Sequence, residues 1–140
     1  MAELARIETV VFLQSVDFFA HCKAEEVLRI AAIAQERSFK AGERIYNAND
    51  PAEIFYSVVR GTVQLDAAGG ESSIVPPLGT FGQVDILRGR LHTRGATAQS
   101  DCLLLGIEAD DFFDLLSNNV EIVKALFRHV IETLQQGRQS

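Results

Sequence analysis

The chain has 140 residues, of which 47% are hydrophobic and 23% charged, and its formal net charge is −6 with a pI near 5.0. This length suits one globular domain with a real core, and an acidic chain without a basic run argues against long nucleic acid as a direct partner. No apolar run approaches the roughly 20 residues of a membrane span, and the N-terminal MAELARIETV lacks the basic start of a signal peptide, so we expect a cytoplasmic protein that does not insert into membranes.

The two cysteines are Cys22 and Cys102. They lie far apart and have no spacing typical of a metal site. A disulfide between them is conceivable, but buried free thiols are the better expectation for an intracellular chain.

The first part of the chain has helical periodicity. Between Ala2 and Val16, apolar residues recur at Leu4, Ile7 and Val11. A second helix is predicted over Ala24–Gln35, where the acidic pair Glu25-Glu26 favours a helix start. We therefore predict a helical lead-in over residues 2–36.

Residues 37–107 have a different pattern, in which short runs rich in Val, Ile, Phe and Tyr alternate with Gly, Pro, Asn and Asp. Closely spaced short strands with turn residues between them predict an all-β sandwich or jelly roll. The predicted strands are Glu43–Tyr46, Ile54–Val59, Thr62–Leu65, Ser72–Val75, Arg94–Ala98 and Cys102–Ile107. The turns include Ala41-Gly42, Asn49-Asp50-Pro51, Arg60-Gly61, Ala67–Gly70 and Pro76–Gly79.

Helical periodicity returns in residues 108–136. One helix is predicted over Asp110–Ser117 and a last one over Asn119–Gln136, with Asn118 and Glu121 as a capping box. Apolar residues of the last helix fall at alternating spacings of three and four, as in a heptad seam: Val120, Val123, Phe127, Val130 and Leu134. The seam suits either core packing onto the β-roll or a homodimer. The element order predicts one domain over residues 1–140, a mainly β jelly roll with N-terminal and C-terminal helices.

Phe81–Thr97 has an unusual charge for this acidic chain. It contains Arg88, Arg90 and Arg94 against the single acid Asp85, a local charge of +2. A glycine-opened turn leads into a short apolar patch, and a helix that starts there would present unpaired N–H groups and a positive dipole end. Arginine adds charge-assisted hydrogen bonds to anionic oxygens. The segment therefore predicts a small anionic ligand.

Several spaced motifs resemble the cyclic nucleotide-binding domain family, which includes the sensor half of bacterial catabolite activator proteins and the regulatory subunits of the cyclic-AMP-dependent kinase. Phe39-Lys40-Ala41-Gly42-Glu43-Arg44-Ile45-Tyr46 resembles the first strand block of the family, and Asn49–Val63 resembles the next one. Phe12–Phe19 is similar to the helical lead-in. The resemblance runs from about Thr9 through the last helix.

The resemblance implies that Phe81–Thr97 is the phosphate-binding cassette. In the family, a turn of phenylalanine, glycine and glutamate leads into a short helix whose amides hold the cyclic phosphate, and a later arginine pairs with the same phosphate. The ligand contacts implied here are Phe81, Gly82, Gln83, Val84, Asp85, Arg94, Gly95 and Ala96. Cyclic AMP is the expected ligand, with cyclic GMP as the alternative, and no further cofactor or metal is implied.

Two positions depart from the family pattern. Gln83 replaces the glutamate that accepts a hydrogen bond from the ribose hydroxyl, so an acceptor oxygen remains without its charge. Asp85 replaces a small apolar residue. Its carboxylate either repels the phosphate, so that its removal would tighten binding, or caps the short helix and faces away. Thr93 stands where a proline is common.

Two alternatives to a sensor remain at this point. One is a degenerate domain that uses the same fold for dimerisation or docking without nucleotide, a reading that Gln83 and Asp85 motivate. The other is a cupin-like metal enzyme, which the scattered histidines His21, His92 and His129 argue against. No serine or cysteine lies in a recognisable nucleophile motif, so we predict that the chain is not an enzyme.

Overall fold

The computed structural model describes residues 4–66 and 71–139, and the predicted turn Ala67–Gly70 and the start of the first predicted helix lie outside them. The structure divides into two compact units, one of residues 34–110 and one of the described residues before and after that range. The helices are α1 (Arg6–Gln14), a 3-10 turn (Asp17–Phe19), α2 (Ala24–Ile33), α3 (Gln83–Leu87), α4 (Ala109–Ser117) and α5 (Val120–Gln139). The strands are β1 (Ala34–Phe39), β2 (Arg44–Tyr46), β3 (Ile54–Arg60), β4 (Val63–Leu65), β5 (Ser73–Val75), β6 (Thr80–Phe81), β7 (Ala96–Ala98) and β8 (Cys102–Glu108).

The unit of residues 34–110 consists of two antiparallel four-stranded sheets. Their strand orders are β1-β8-β3-β6 and β2-β7-β4-β5. This arrangement confirms the predicted mainly β jelly roll with flanking helices.

The core of the β unit follows from the alternation of side chains along the strands. Tyr56 and Val58 of β3 are buried, as are Val63 of β4 and Leu104 of β8. Other members of this cluster are Val75, Phe81, Ala96, Ala98 and Cys102. Aromatic and β-branched residues dominate β3, as expected for a strand with a buried face.

The helical unit has its own apolar core. The ring centroid of Phe18 lies 5.1 Å from that of Phe19 and 6.4 Å from that of Phe112. Leu13, Ile30 and Ile122 are fully buried as well. No helix in residues 4–66 and 71–139 has the length and apolar character that a membrane span requires.

Several helix boundaries and one predicted cap differ from the predictions. Helix α2 ends at Ile33, because Gln35 and the following residues pair with β8 instead, with Gln35 opposite Gly106. The capping box predicted from Asn118 is wrong, since its side-chain amide donates to the carbonyl of Asp114 in α4 over 3.0 Å. A non-local pairing and a C-terminal cap of the preceding helix thus replace the local pattern.

The predicted seam of α5 lies mostly on its exposed side. Phe127 is 64% exposed and Leu134 is 60% exposed, while Val120 and Val130 are exposed too. The helix buries a different stripe: Ile122, Ala125 and Leu126. The heptad spacing therefore marks an apolar surface of α5 that the described residues do not cover.

Two turn glycines with nearly equal backbone angles provide a matched test of packing. Gly42 (φ +88°) has open space where a Cβ would stand, whereas a Cβ at Gly61 (φ +87°) would collide with the carbonyl of Asp101 and lie 2.9 Å from Cys102 Sγ. We expect Gly42→Ala to lower the free energy of unfolding by about 1–2 kcal/mol, the cost of left-handed backbone. Gly61→Ala should cost about 2–5 kcal/mol, because overpacking adds to the strain. Equal losses in urea denaturation would contradict the packing described at Gly61.

Candidate ligand-binding site

Strand β6 leads directly into the turn that opens the cassette. Phe81 pairs with Tyr56 of β3, and its side chain is 2% exposed with its ring stacked 5.4 Å from that of Tyr56. Gly82 follows in the left-handed conformation (φ 87°, ψ −13°) and is the N-cap of α3. Phe81 therefore anchors the turn in the core, and Gly82 provides the backbone conformation that other residues adopt with strain.

The first turn of α3 presents backbone N–H groups. The first helical hydrogen bond runs from Ile86 N to Gly82 O, 3.3 Å. Among the described residues, no partner accepts from the amides of Gln83 and Val84. Val84 is exposed and Gln83 partly exposed, so this turn is open to an anionic group.

Arg94 lies at the other end of the cassette. Its Nη1 donates to Ser73 Oγ on β5 over 3.0 Å, and its side chain is exposed. The guanidinium is thus held at one nitrogen, while its remaining N–H groups can bind a phosphate bidentately.

The two small residues after Arg94 have packing roles. Gly95 is buried, and a Cβ there would collide with the guanidinium of Arg44. Arg44 forms an ion pair with Asp66 (2.9 Å) and donates to Thr97 Oγ1 (2.7 Å). Ala96 is fully buried in the β core. Gly95 therefore leaves room for Arg44, and side chains at these positions would disturb β7.

Asp85 does not cap α3, because Gly82 is the N-cap and no side chain caps this helix. The Asp85 carboxylate instead accepts three hydrogen bonds: from His92 Nδ1 (3.3 Å), Thr93 N (3.3 Å) and Thr93 Oγ1 (3.4 Å). The capping role considered from the sequence is wrong, and the carboxylate faces the segment that precedes Arg94.

His92 and Tyr46 are site neighbours that the sequence did not indicate. Their rings are parallel, with centroids 3.5 Å apart, and His92 is 3% exposed. Burial raises the pKa of the Tyr46 phenol, the Asp85 charge raises it further, and the Arg94 charge lowers it. The phenol therefore lies within the electrostatic range of Asp85 and Arg94. No spacing rule in the sequence could find this pair, because Tyr46 and His92 are far apart along the chain and meet only when the β unit folds.

A cavity of about 240 Å³ adjoins this pair. The described residues that line it include two carboxylates, those of Asp50 and Glu53, and no lysine or arginine. The other lining residues are Tyr46, Pro51, Ile54, Tyr56 and His92. A phosphate is disfavoured beside Asp50 and Glu53, so Arg94 and the first turn of α3 are the better anion site in this unit.

Metal ligands and reactive thiols are the remaining chemistry to consider among the described residues. The described residues include no group of three or more His, Cys, Asp or Glu side chains that could hold a metal ion. Both cysteines are free, and burial raises the pKa of Cys22 to about 11. Since the thiolate is the reactive form, Cys22 is a poor nucleophile.

Known structures share this fold. The N-terminal domain of a transcriptional regulator from Streptomyces coelicolor superposes with a TM-score of 0.79 at 23% identity, covering 92% of this chain and 96% of that one. The regulatory domain of Toxoplasma gondii PKA, crystallised with cAMP, has a TM-score of 0.73 at 19% identity, covering 86% of this chain and 48% of that one.

Sequence comparison identifies the family of this chain. An uncharacterized NTE family protein of Mycobacterium tuberculosis is 25% identical over 127 residues, which is 90% of this chain and 22% of that protein. The chain thus spans about a fifth of the length of this curated relative. The family model of the cyclic nucleotide-binding domain matches residues 36–119, which include most of β1, all of β2–β8 and the whole cassette. The chain belongs to the cyclic nucleotide-binding domain family.

Proposed function

We propose that this chain is a non-enzymatic sensor domain that binds a cyclic purine nucleotide in the Phe81–Thr97 cassette. Cyclic AMP is the ligand we favour, and cyclic GMP is the alternative. The proposal rests on one observation above all: the amides of Gln83 and Val84, which have no partner among the described residues, and the exposed guanidinium of Arg94 belong to the same cassette. A cyclic phosphate carries one negative charge and two free oxygens, which suits one arginine and a set of N–H donors.

Gln83 is the residue we assign to the ribose. Its side chain starts from the first residue of α3, directly after the left-handed turn at Gly82. The amide oxygen can accept one hydrogen bond from the ribose 2′-hydroxyl, but it has no charge to strengthen that bond. Phe81, Gly95 and Ala96 are buried, so we assign them to the walls and backbone of the site.

We propose that the signal leaves through a change in α5. A ligand can shift such an equilibrium only by its different affinity for two arrangements of the protein.

A second candidate function is dimerisation or docking without nucleotide. The observation that supports it is the exposed apolar surface of α5, which includes Val120, Phe127, Val130, Ile131 and Leu134. Exposed apolar patches of this kind are typical of protein–protein contacts. A homodimer through α5 is compatible with nucleotide binding, whereas a purely docking domain would bind no nucleotide in calorimetric titrations with cyclic AMP and cyclic GMP.

A cytoplasmic location is part of the proposal. Cys22 and Cys102 are both free thiols, which is the usual state of cysteines in a reducing compartment. Direct contact with nucleic acid is not part of it, since the chain has a net charge of −6.

Arg94→Ala tests the phosphate assignment. We expect the mutant to bind cyclic AMP about 1.5–3 kcal/mol more weakly, the usual value of hydrogen bonds to charged groups. This corresponds to a loss of roughly tenfold to more than a hundredfold in affinity measured by calorimetry. The thermal midpoint without ligand should barely move, because Arg94 is exposed. Arg90→Ala, an exposed arginine of the same segment, is the control and should bind like the parent; equal affinities of Arg94→Ala and the parent would remove the assignment.

Gln83→Glu tests the ribose assignment. The added charge should tighten cyclic AMP binding by about 1 kcal/mol, because a charged acceptor forms a stronger hydrogen bond than a neutral one. Binding of 2′-deoxy cyclic AMP, which lacks the hydroxyl, is the control and should not gain. A mutant that gains equally for both ligands, or for neither, would place the ribose elsewhere.

Hydrogen exchange tests transmission to α5. With saturating cyclic AMP, protection should rise in residues 120–136 as well as in the cassette, since the ligand is proposed to favour one arrangement of that helix. The Arg94→Ala variant at the same nucleotide concentration is the control. If only the cassette responds, the domain holds nucleotide without signalling through α5.

A further inference from the structure

We infer that Asp85 is a positioning residue for the anion site: it holds the segment that carries Arg94 against α3 and thereby strengthens anion binding. This inference rests on the proposed function. It reverses the sign expected for a carboxylate close to a phosphate, and no family pattern implies it, because the family has a small apolar residue at this position.

The hydrogen bonds of Asp85 converge on two consecutive residues. Its carboxylate accepts from His92 Nδ1 and from both the amide and the hydroxyl of Thr93, over 3.3–3.4 Å. Each of these bonds is long and therefore weak by itself. The Asp85 side chain is nevertheless only 12% exposed. Few water molecules can therefore take the place of the His92 and Thr93 donors if these hydrogen bonds break. Thr93 is the residue directly before Arg94, so fixing its backbone fixes the starting point of the Arg94 side chain.

The segment Leu91-His92, to which Asp85 is hydrogen-bonded, is itself fixed by several contacts. The amide of His92 donates to Asp50 O (2.9 Å), and its carbonyl accepts from Asn49 N (2.7 Å). Its ring stacks on Tyr46 of β2. Leu91 forms an isolated bridge with Pro51. Asp85 thus ties the five-residue helix α3 to a segment that is already fixed to the rest of the β unit.

Few side chains of the loop at this connection are buried. Residues 88–93 lie between α3 and β7 and are exposed except for His92. The carbonyl of Asp85 also accepts from Arg90 N (2.9 Å), so the same residue fixes both the start and the end of the loop. A loop with free arginines would otherwise lose conformational entropy when it binds a ligand, and preorganisation removes that cost.

The charge of Asp85 opposes this benefit but is partly neutralised. The Thr93 and His92 donors point their hydrogens at the carboxylate. The pKa of the Tyr46 phenol responds to both Asp85 and Arg94, which places the two charges in one electrostatic neighbourhood. A bound phosphate would meet the exposed Arg94 guanidinium, whereas the Asp85 carboxylate is turned to the buried side of the loop.

Two substitutions separate position from charge. Asp85→Asn removes the charge and keeps an acceptor oxygen for Thr93, whereas Asp85→Ala removes both. Positioning predicts that Asp85→Ala weakens cyclic AMP binding about tenfold, from the loss of roughly one to two net hydrogen bonds, while Asp85→Asn stays within about threefold of the parent. Thr93→Val, which removes the hydroxyl donor and keeps the amide, should fall within about threefold as well. If Asp85→Ala and Asp85→Asn both tighten binding, the carboxylate is simply a repulsive charge and the inference is wrong.

A measurement on the ligand-free protein makes the result independent of the proposed function. Amide exchange followed by NMR should speed up at Thr93 in Asp85→Ala, and much less in Asp85→Asn, because the amide loses its acceptor only in the first variant. Unchanged exchange at Thr93 in Asp85→Ala would overturn the inference even if binding falls. If the parent binds neither cyclic AMP nor cyclic GMP, the proposed function fails, and the exchange data still decide whether Asp85 holds this segment. Should Asp85→Ala not fold, Asp85→Val, which also lacks an acceptor oxygen but fills more of the space of the carboxylate, takes its place beside Asp85→Asn in both measurements.

Discussion

The backbone pairing between β3 and β8 is the constraint from which the candidate site takes its position. It runs from Ile54 opposite Glu108 to Arg60 opposite Leu103, and β8 is buried along Cys102–Ile107. Gly106 lies opposite Tyr56, and a Cβ at Gly106 would stand 3.1 Å from the Tyr56 ring, so a slip by one residue would crowd this ring and packing fixes the register. The two-residue strand β6 lies at the sheet edge beside β3, where Phe81 faces Tyr56. The turn at Gly82 and the start of α3 therefore stand where β3 places them.

The site needs both sheets. Gly82 and α3 continue from β6 of one sheet, whereas Ser73, which holds Arg94, belongs to β5 of the other. A five-residue helix has too few hydrogen bonds to persist in isolation, so α3 depends on its attachments. The attachments that the structure shows are the buried ring of Phe81 before it and the Asp85 contacts with His92 and Thr93 after it. The anion site is thus a consequence of closing the roll rather than a property of its local sequence.

The charged residues of the β unit are unevenly distributed. The chain as a whole is acidic, and two carboxylates line the cavity beside His92. Arg94, the arginine that suits an anion, does not line this cavity, and the one acid within the cassette accepts hydrogen bonds from its own loop. This division gives the β unit one surface that attracts phosphate and one that disfavours it. A local field of this kind matters more for a small anion than the net charge of −6 does.

The sequence alone was sufficient for the jelly roll, for six of the eight strands that the described residues form, and for the placement of a glycine turn and an arginine in one cassette. These depend on local signals, namely alternation along strands, turn residues and spaced motifs that resemble a family. The tertiary structure decided the rest. It turned Ala34–Phe39 into a strand because β8 offered backbone partners, exposed the heptad seam of α5 because a neighbouring stripe of that helix is buried, and stacked Tyr46 on His92. It also gave Asp85 its partners, seven and eight residues away in an irregular loop. Contacts of this kind have no period in the sequence, because they exist only after the chain has closed on itself.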